Sequence, residues 1–286
     1  MGMPSTVHPV VDDPRTERAR YWRFSGLPDT EMLTARFVTT NFTRHTHPTY
    51  TFGIITGGIE EYAHPGGTSR VGPGGLAVVG PDEVHTGHAG VPEGWTYRVF
   101  YPEPEVVVGI ARELGLRGTP AFTESGIDAP EASRLLHAAH LAAERGDRLA
   151  SSSLVRRGIA ALLRSHGRER APQVRARAAR PETARAREVL ASRLTDAPTL
   201  EELAAEVGLG PFALSRAFSA AYGLPPHAYL NQLRVGRARE LLAAGRAPSE
   251  VAVEVGFTDQ AHLNRHFRRH LGVPPGAYRR ALAGGH

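Results

Sequence analysis

The chain of 286 residues contains no cysteine. This absence excludes disulfide scaffolds, thiolate zinc sites, iron–sulfur clusters and cysteine nucleophiles together. Any metal ion would therefore need histidine or carboxylate ligands. Hydrophobic residues make up 41% of the sequence and charged residues 22%, which is the balance of a globular chain that can bury a sizeable core.

Long apolar runs are also missing. No stretch approaches the roughly 18 to 20 apolar residues that a membrane-spanning helix requires. Residues 1–19 lack the apolar centre of a secretory signal. We therefore predict that the protein acts in the cytoplasm.

Lysine is absent as well, so all 34 basic residues are arginine. Residues 1–166 carry 16 arginines against 18 acidic side chains, whereas residues 167–286 carry 18 arginines against 11. The formal charges of the two parts are thus −2 and +7. Arginine presents a planar fork of donors that suits phosphates and guanine edges, so the basic part favours a nucleic-acid partner. A genome rich in G and C would explain the choice of arginine over lysine, but not the uneven division.

Residues 30–104 are typical of a small β-barrel or sandwich, because short β-forming segments alternate with dense Gly and Pro turns. The predicted strands are 34–42, 49–56, 59–64, 76–79 and 96–101. After Pro104 the apolar residues recur at intervals of three and four, which predicts amphipathic helices over 106–114, 130–145 and 149–165.

Residues 167–182 are rich in Arg and Ala and have almost no large apolar side chain, so they cannot pack as a core. We predict that they link two domains, residues 1–166 and residues 183–286. The second domain is predicted to be entirely helical. The fold class is therefore α+β, with a barrel and packed helices first and an all-α domain last.

The second domain contains an internal repeat. The segment LAAEVGLGPFALSRAFSAAYGLPPHAY begins at Leu203, and VAVEVGFTDQAHLNRHFRRHLGVPPGAY begins at Val251. The two segments share their apolar, Gly, Pro and Tyr positions, with one residue inserted in the turn. A duplication of nearly thirty residues is hard to obtain by chance.

Each copy predicts a short helix, a Gly-centred turn and a second helix. In the first copy a capping box at Thr199 predicts a helix that begins at Leu200, and Gly208 predicts its end. The second helix of each copy carries Leu and Phe on one stripe and Arg with other polar residues on the opposite stripe. This pattern is typical of the helix-turn-helix, which places its second helix in the major groove of DNA.

The segment between the copies, residues 226–242, contains no interior helix breaker except Gly236. As a helix it would be about 25 Å long. Together with the width of each unit, this length predicts two reading helices about 34 Å apart, which is one turn of B-DNA. One chain would then read two successive major grooves.

The last hundred residues resemble the tandem helix-turn-helix domain of the AraC/XylS family of bacterial transcription regulators. The most specific matches are Val255-Gly256-Phe257, Asp259-Gln260, Leu263, Arg265 to Phe267, Gly272 to Pro275, and Tyr278. The resemblance implies base contacts by Phe212, Ser215, Arg216, Gln260, Ala261, His262, Asn264 and Arg265. Arg suits guanine, Gln and Asn suit adenine, and Phe suits the thymine methyl group. Gly210 departs from the family's usual Ser or Thr cap at the start of the first reading helix.

Three histidines of the first domain are predicted to converge. His45 and His47 alternate by two, so on a strand both point to the same face, and His85 follows another strand. The arrangement resembles the histidine-bearing motifs of the cupin barrel, which is common among sensor domains of the AraC family. The resemblance implies that residues 1–166 form a cupin-like domain for effector binding and dimerisation.

These histidines leave two interpretations open. Three histidines can hold zinc, but no carboxylate follows His47 closely, which counts against a site with two histidines and one carboxylate for iron. The favoured interpretation is a pocket without metal, so no cofactor is predicted, and His45, His47 and His85 stay as candidate ligands. The predicted effector-binding residues are His45, His47, Tyr50, Phe52, Tyr62, His85 and Tyr97.

The predicted function is a ligand-responsive, sequence-specific transcription regulator that is not an enzyme. The resemblance implies an activator whose partners are double-stranded promoter DNA, a small-molecule effector, RNA polymerase and a second copy of the chain. One alternative is a metal-dependent cupin enzyme, an oxygenase or isomerase, that carries a DNA-binding appendage. Another is a scaffold whose helix-turn-helix units bind protein.

Overall fold

The computed structural model describes residues 16–24, 30–122, 124–169 and 180–283. The described chain forms a β-rich domain with three packed helices, followed by an all-helical domain. Most of the predicted linker 167–182 lies outside the described residues. At its two ends, Gly167–Glu169 form a short strand and Pro181 begins a helix. The domain boundaries themselves stay a prediction.

The β-rich domain contains two main antiparallel sheets. The strands are β1 Arg18–Phe24, β2 Thr30–Phe37, β3 Phe42–His45, β4 Thr51–Gly58, β5 Glu60–His64, β6 Gly67–Val71, β7 Leu76–Val79, β8 His85–Ala89, β9 Trp95–Tyr101, β10 Pro120–Phe122, β11 Gly126–Ile127 and β12 Gly167–Glu169. One sheet has the order β1-β2-β9-β4-β7-β11 and the other β3-β8-β5-β6, while β10 pairs with β12. Side chains of both main sheets line one cavity, so the sheets face each other.

Three helices cover the outer face of the six-stranded sheet: α1 Pro104–Glu113, α2 Pro130–Glu144 and α3 Arg148–His166. Leu136 and Ile159 of these helices share a fully buried cluster with Phe52 of β4 and Phe100 of β9. Strand β4 therefore has cover on both faces. A strand in that position is expected to be apolar almost throughout, and Phe52 to Ile55 are all buried.

The predicted strand 34–42 is wrong, because it is two strands in different sheets. β2 ends at Phe37 and β3 begins at Phe42. Between them the Glu17 carboxylate accepts the backbone N–H groups of Val38, Thr39 and Thr40, at 2.6 to 2.8 Å. Hydrogen bonds to a side chain thus replace strand pairing at these three residues, and the chain crosses here from one sheet to the other. Strands β1, β6 and β8 were not predicted either.

The helical domain confirms the repeat. Its helices are α4 Pro181–Ser192, α5 Leu200–Glu206, α6 Pro211–Tyr222, α7 Pro226–Ala243, α8 Pro248–Glu254, α9 Gln260–Leu271 and α10 Pro275–Ala283. Thr199 and Glu202 form the predicted capping box at the start of α5. Helix α7 is the continuous spacer between the two helix-turn-helix units, α5–α6 and α8–α9.

The two units are packed differently. Leu203, Leu214 and Phe218 of the first unit lie in a separate cluster with α4 and α7. Leu263 and Phe267 of the second unit belong to the same buried cluster as the inner face of the barrel. The second unit is therefore anchored on the barrel through a continuous apolar core. Within the described part of the chain, no helix is both long enough and apolar enough to cross a membrane.

Candidate functional site

The helices α6 and α9 present their predicted contact residues outward. Phe212, Arg216, Gln260, Ala261 and Arg265 are exposed, while Ser215, His262 and Asn264 are partly buried. Phe212 is the clearest case, because this aromatic side chain is 87% exposed and has no role in the core. Leucine and phenylalanine on the opposite stripe of each helix are fully buried. The structure thus gives both helices an anchored face and a free polar face.

The two helices begin differently. At the start of α9 the Asp259 carboxylate accepts the N–H of His262 at 2.7 Å, which leaves one fewer free donor there. Helix α6 begins at Pro211 after Gly210 and has no side-chain cap. Its first-turn N–H groups therefore lack a side-chain acceptor, and such groups at a helix start can bind a phosphate.

A small cavity lies between the two sheets of the first domain. Of the predicted effector-binding residues, His45, His47, Tyr62, His85 and Tyr97 line it. Tyr21, Glu60, Tyr101 and His270 also line it, and the sequence argument missed these four.

Tyr50 and Phe52 do not line the cavity, which corrects that part of the prediction. Both are fully buried in the cluster beneath the helices, and the Tyr50 hydroxyl donates to the Pro120 carbonyl at 2.5 Å. Successive side chains of a strand point to opposite faces. Thr51 and Gly53 face the cavity, so Tyr50 and Phe52 must face the helices.

The three histidines of the first domain converge as predicted. One ring nitrogen from each of His45, His47 and His85 lies within 4.8 Å of the others. The ring centroids are 4.3 to 5.1 Å apart. His45 and His85 are direct partners across β3 and β8, and His47 follows just after β3. Pairing across the two strands therefore brings together residues forty positions apart.

Burial keeps these imidazoles neutral. It lowers the pKa of His85 to about 4. It also holds the pKa values of His45 and His47 well below their usual range, and neighbouring imidazoles lower them further. Neutral imidazole is the form that offers a lone pair to a hydrogen-bond donor or a metal ion.

The lining of the cavity also includes polar groups without protein partners. Thr51 Oγ1 and Glu60 Oε2 are buried and have no hydrogen-bond partner within the described residues. Burial raises the pKa of Glu60 to about 8, so its carboxyl is protonated at neutral pH. Buried polar groups normally find partners, so these two atoms indicate space for a polar ligand or water.

The cavity reaches the second helix-turn-helix unit, which the sequence argument did not foresee. The Tyr21 hydroxyl donates to the carbonyl of Leu271, the last residue of α9, at 3.1 Å. His270 of α9 lines the cavity, with its ring centroid 6.0 Å from that of His45. His270 lies beside the apolar stripe of α9, three residues after Phe267. That position is the signal that could have identified it.

An ion pair ties the spacer helix to the barrel. Arg239 of α7 contacts the Glu31 carboxylate of β2 at 2.6 Å, and the Tyr278 hydroxyl donates to the other Glu31 oxygen, also at 2.6 Å. Burial alone would raise the pKa of Glu31. The Arg239 charge and the hydrogen bonds from Arg239 and Tyr278 outweigh burial and hold that pKa below its ordinary value.

The C-terminal ends of both reading helices rest on the barrel. Gly223 ends α6 and Gly272 ends α9, both with φ near +72°. A Cβ atom at position 223 would lie 2.6 Å from Cγ2 of Val84, and one at position 272 would lie 2.5 Å from Cζ of Phe37. Only glycine fits both the backbone conformation and the contact.

Two family profiles match this chain. Residues 27–159 match the profile described as AraC-like ligand binding domain, and residues 203–281 match a helix-turn-helix domain. The chain belongs to the AraC family of transcription regulators. Its two domains are therefore a ligand-binding domain and a DNA-binding domain, and the predicted function class is confirmed.

Known proteins agree with this assignment. This AraC-family chain is 25% identical over 228 residues to the HTH-type transcriptional regulator YbfI of Bacillus subtilis, covering 78% of this chain and 81% of that protein. It is 31% identical over 77 residues to the virulence regulon transcriptional activator VirF of Yersinia enterocolitica, covering 27% and 28%. The crystal structure of ToxT from Vibrio cholerae has the same two-domain fold, with a TM-score of 0.52 at 12% identity over 94% of this chain and 98% of that one.

Proposed function

We propose that this regulator reads promoter DNA with the free faces of α6 and α9, and that a small molecule in the barrel cavity controls the reading. The observation that carries the proposal is the double role of α9. Its first half presents Gln260 and Arg265 to solvent, whereas its last turn contacts the cavity and the barrel. A ligand that moves Tyr21 or His45 thereby moves the end of a reading helix.

For an effector to act in this way, it must bind two arrangements of the domains with different affinities. The docked arrangement is held by Tyr21, by the Glu31–Arg239 pair and by the contacts of Gly223 and Gly272. A ligand that fills the cavity changes the surface on which α9 and α10 rest. We propose that this shift between docked and released units is the regulatory step.

The base contacts are proposed for Phe212, Ser215, Arg216, Gln260, Ala261, His262, Asn264 and Arg265. Arg265→Ala is expected to weaken binding to the specific operator by about 1–3 kcal/mol, or about 5- to 150-fold, and to relax preference at one base position. The reason is the loss of a bidentate donor to guanine. Competition gel shifts with a panel of single-base operator variants measure both effects.

Arg112→Ala is the matched control, because Arg112 is an exposed helical arginine of the ligand-binding domain. It removes the same charge without touching a reading helix, so operator affinity and base preference should not change. Equal affinity and an identical footprint for Arg265→Ala and the wild type would contradict the assignment. Failure of the wild type to shift its own upstream DNA at low salt, where phosphate attraction is strongest, would contradict the DNA role itself.

The effector is proposed to contact His45, His47, Tyr62, His85 and Tyr97, in a cavity that Glu60 also lines. Screening of the full chain against sugars, amino acids and aromatic acids is expected to find a compound that raises the melting temperature, since a ligand that binds only the folded state stabilises it. Tyr97→Phe should reduce that shift because it removes one hydroxyl from the lining. Tyr222→Phe, outside the cavity, should preserve it. Equal shifts in both variants would contradict a contact from Tyr97.

We propose activation as the direction of regulation, in keeping with the relative named a transcriptional activator. Activation requires contact with RNA polymerase in the cytoplasm, where promoter DNA lies.

We propose a homodimer through α2 and α3, which is supported by Leu149 at the start of α3, a leucine 78% exposed. No catalytic role is proposed, because the relatives named above are transcription regulators.

A further inference from the structure

The ring nitrogens of His45, His47 and His85 form a group with the spacing to hold a metal ion of the zinc class. We propose that His270 of α9 supplies a fourth nitrogen to such an ion. The ion would then join the ligand-binding domain to a DNA-reading helix. The effector would then occupy the rest of the cavity, which is lined by Tyr62, Tyr97 and Glu60, and would meet the three barrel histidines through the ion.

The spacing of the rings fits such an ion. Two imidazoles that bind one zinc ion at about 2.1 Å, at a tetrahedral angle, have ring centroids about 5 Å apart. The three barrel histidines have centroids 4.3, 4.8 and 5.1 Å apart, and that of His270 lies 6.0 Å from His45. The nitrogens of the three barrel histidines already lie within 4.8 Å of one another, and movement of the His270 ring toward them would complete a set of four.

The hydrogen bonds of the rings fit as well. A carbonyl oxygen can only accept, so a ring nitrogen bonded to one must carry the proton. Nδ1 of His45 donates to the Thr43 carbonyl at 2.7 Å, and Nδ1 of His85 donates to the Glu83 carbonyl at 2.9 Å. In a neutral ring this leaves the lone pair on Nε2. Backbone carbonyls that fix the tautomer in this way are the usual outer partners of metal-binding histidines.

His270 shows the same arrangement from the other domain. Its Nδ1 donates to the His266 carbonyl one turn earlier in α9, at 2.7 Å. The lone pair is again on Nε2, and the ring lines the cavity. Hydrogen bonds to carbonyls therefore orient three of the four rings, although two belong to the barrel and one to a reading helix.

The chemistry of the site selects the kind of ion. Neutral imidazole nitrogens suit zinc, copper, nickel and cobalt, whereas calcium and magnesium need oxygen ligands. The ligands carry no charge, but Glu60 lines the same cavity. A nearby divalent cation would favour the ionised form of this carboxyl and so balance part of its own charge.

The ion would act on DNA binding by fixing the last turn of α9 to the barrel. His270 is the only proposed ligand from the DNA-binding domain. If it is lost, the three barrel histidines should still bind the ion, but more weakly. The effect on operator affinity rests on the proposed DNA-binding function. Metal binding itself does not, and the two can be measured separately.

The experiment uses the full chain after removal of any affinity tag and treatment with a chelator. Titration with Co²⁺, followed by the visible bands of tetrahedral cobalt, and elemental analysis after addition of Zn²⁺ give affinity and stoichiometry. We expect one ion per chain. We expect His47→Ala to abolish tight binding, and His270→Ala to weaken it at least tenfold and to change the cobalt bands. His47 is used because it follows β3 rather than lying within a strand, so its variant is expected to remain folded.

Two controls are matched to these variants. His266→Ala lies on the same helix as His270, but its ring packs on Phe257 with centroids 5.3 Å apart. His88 lies in the barrel on the same strand as His85, three positions later, and does not line the cavity, so His88→Ala is the second control. Both should bind Co²⁺ as the wild type does. Zn²⁺ should change operator affinity in the wild type and in both controls, but not in His270→Ala.

Three results would overturn the proposal. Less than one zinc ion per chain in the folded wild type would contradict the proposed metal site. Operator binding in the same preparation would show that the proposed DNA-binding function does not depend on that site. Equal Co²⁺ affinity and identical visible absorption bands in the wild type and His270→Ala would contradict a metal ligand from His270. Stoichiometric iron in place of zinc, lost in His45→Ala, would instead support the alternative of a cupin enzyme.

Discussion

Phe218→Ala is expected to lower the free energy of unfolding of the DNA-binding domain by about 3–5 kcal/mol. The Phe218 side chain is fully buried at the centre of the first helix-turn-helix unit. Its ring lies 4.6 Å from that of Tyr222 and 5.4 Å from that of Tyr229. Removing it costs the transfer free energy of the ring and leaves a cavity that these neighbours cannot fill. Urea unfolding followed by circular dichroism measures the change.

Phe212→Ala is the matched control on the same helix. Because Phe212 is 87% exposed, its truncation should change the free energy of unfolding by less than about 0.5 kcal/mol. Operator binding should nevertheless weaken, since the proposed contact with a thymine methyl group is lost. A similar loss of stability in the two variants would show that Phe212 is packed rather than free for DNA.

Arg239→Met is expected to lower the free energy that holds the two domains together by about 2–4 kcal/mol. The change leaves the Glu31 carboxylate in the interface with the Tyr278 hydroxyl as its remaining side-chain hydrogen-bond donor among the described residues. The side chains of Arg239 and Glu31 are 22% and 15% exposed, so water relieves part of the cost. Thermal unfolding and limited proteolysis of the full chain measure the change.

Acid should reduce this difference. Because the pKa of Glu31 is lowered in the folded protein, the pair contributes fully above the ordinary value of 4.5, and its contribution is lost as the pH falls through the lowered value. The wild type and Arg239→Met should therefore converge in stability below pH 4.5. A difference that persists unchanged in acid would contradict an electrostatic origin.

Arg237→Met is the control for the same helix. Arg237 pairs with Glu240 at 2.6 Å, but the two side chains are 50% and 65% exposed. A pair in that setting contributes little, because water and salt screen it. The stability should change by less than about 0.5 kcal/mol. An equal effect of the two substitutions would show that loss of any arginine from α7, rather than loss of the buried pair, weakens the domain contact.

The helix-turn-helix units were predictable because their signals are local. A capping residue such as Thr199 marks a helix start, a glycine such as Gly208 marks a helix end, and the buried stripe follows from the spacing of Leu214 and Phe218. The structure has these features where the sequence places them. Because the unit is duplicated, each helix boundary predicted in one copy could also be compared with the same position in the other copy.

The barrel was less predictable because the side chains of a strand divide between two faces, and the sequence does not say which face is the cavity. Tyr50 and Phe52 suited a pocket by residue type, but the strand turns them toward the helices. The break between β2 and β3 depends on Glu17, which lies more than twenty positions earlier in the chain. A contact of that kind leaves no local pattern.

By itself the sequence determined that the chain carries a doubled DNA-reading unit, a β-rich domain before it and three histidines spaced to meet. Periodicity, capping and duplication act over a few residues, and each is visible in the order of the side chains. Only the tertiary structure decided that His270 joins those histidines, that Arg239 pairs with Glu31, and that both reading helices end against the barrel. These contacts join residues roughly 140 to 235 positions apart, and such pairs are specified by the packing of the two domains rather than by any local pattern.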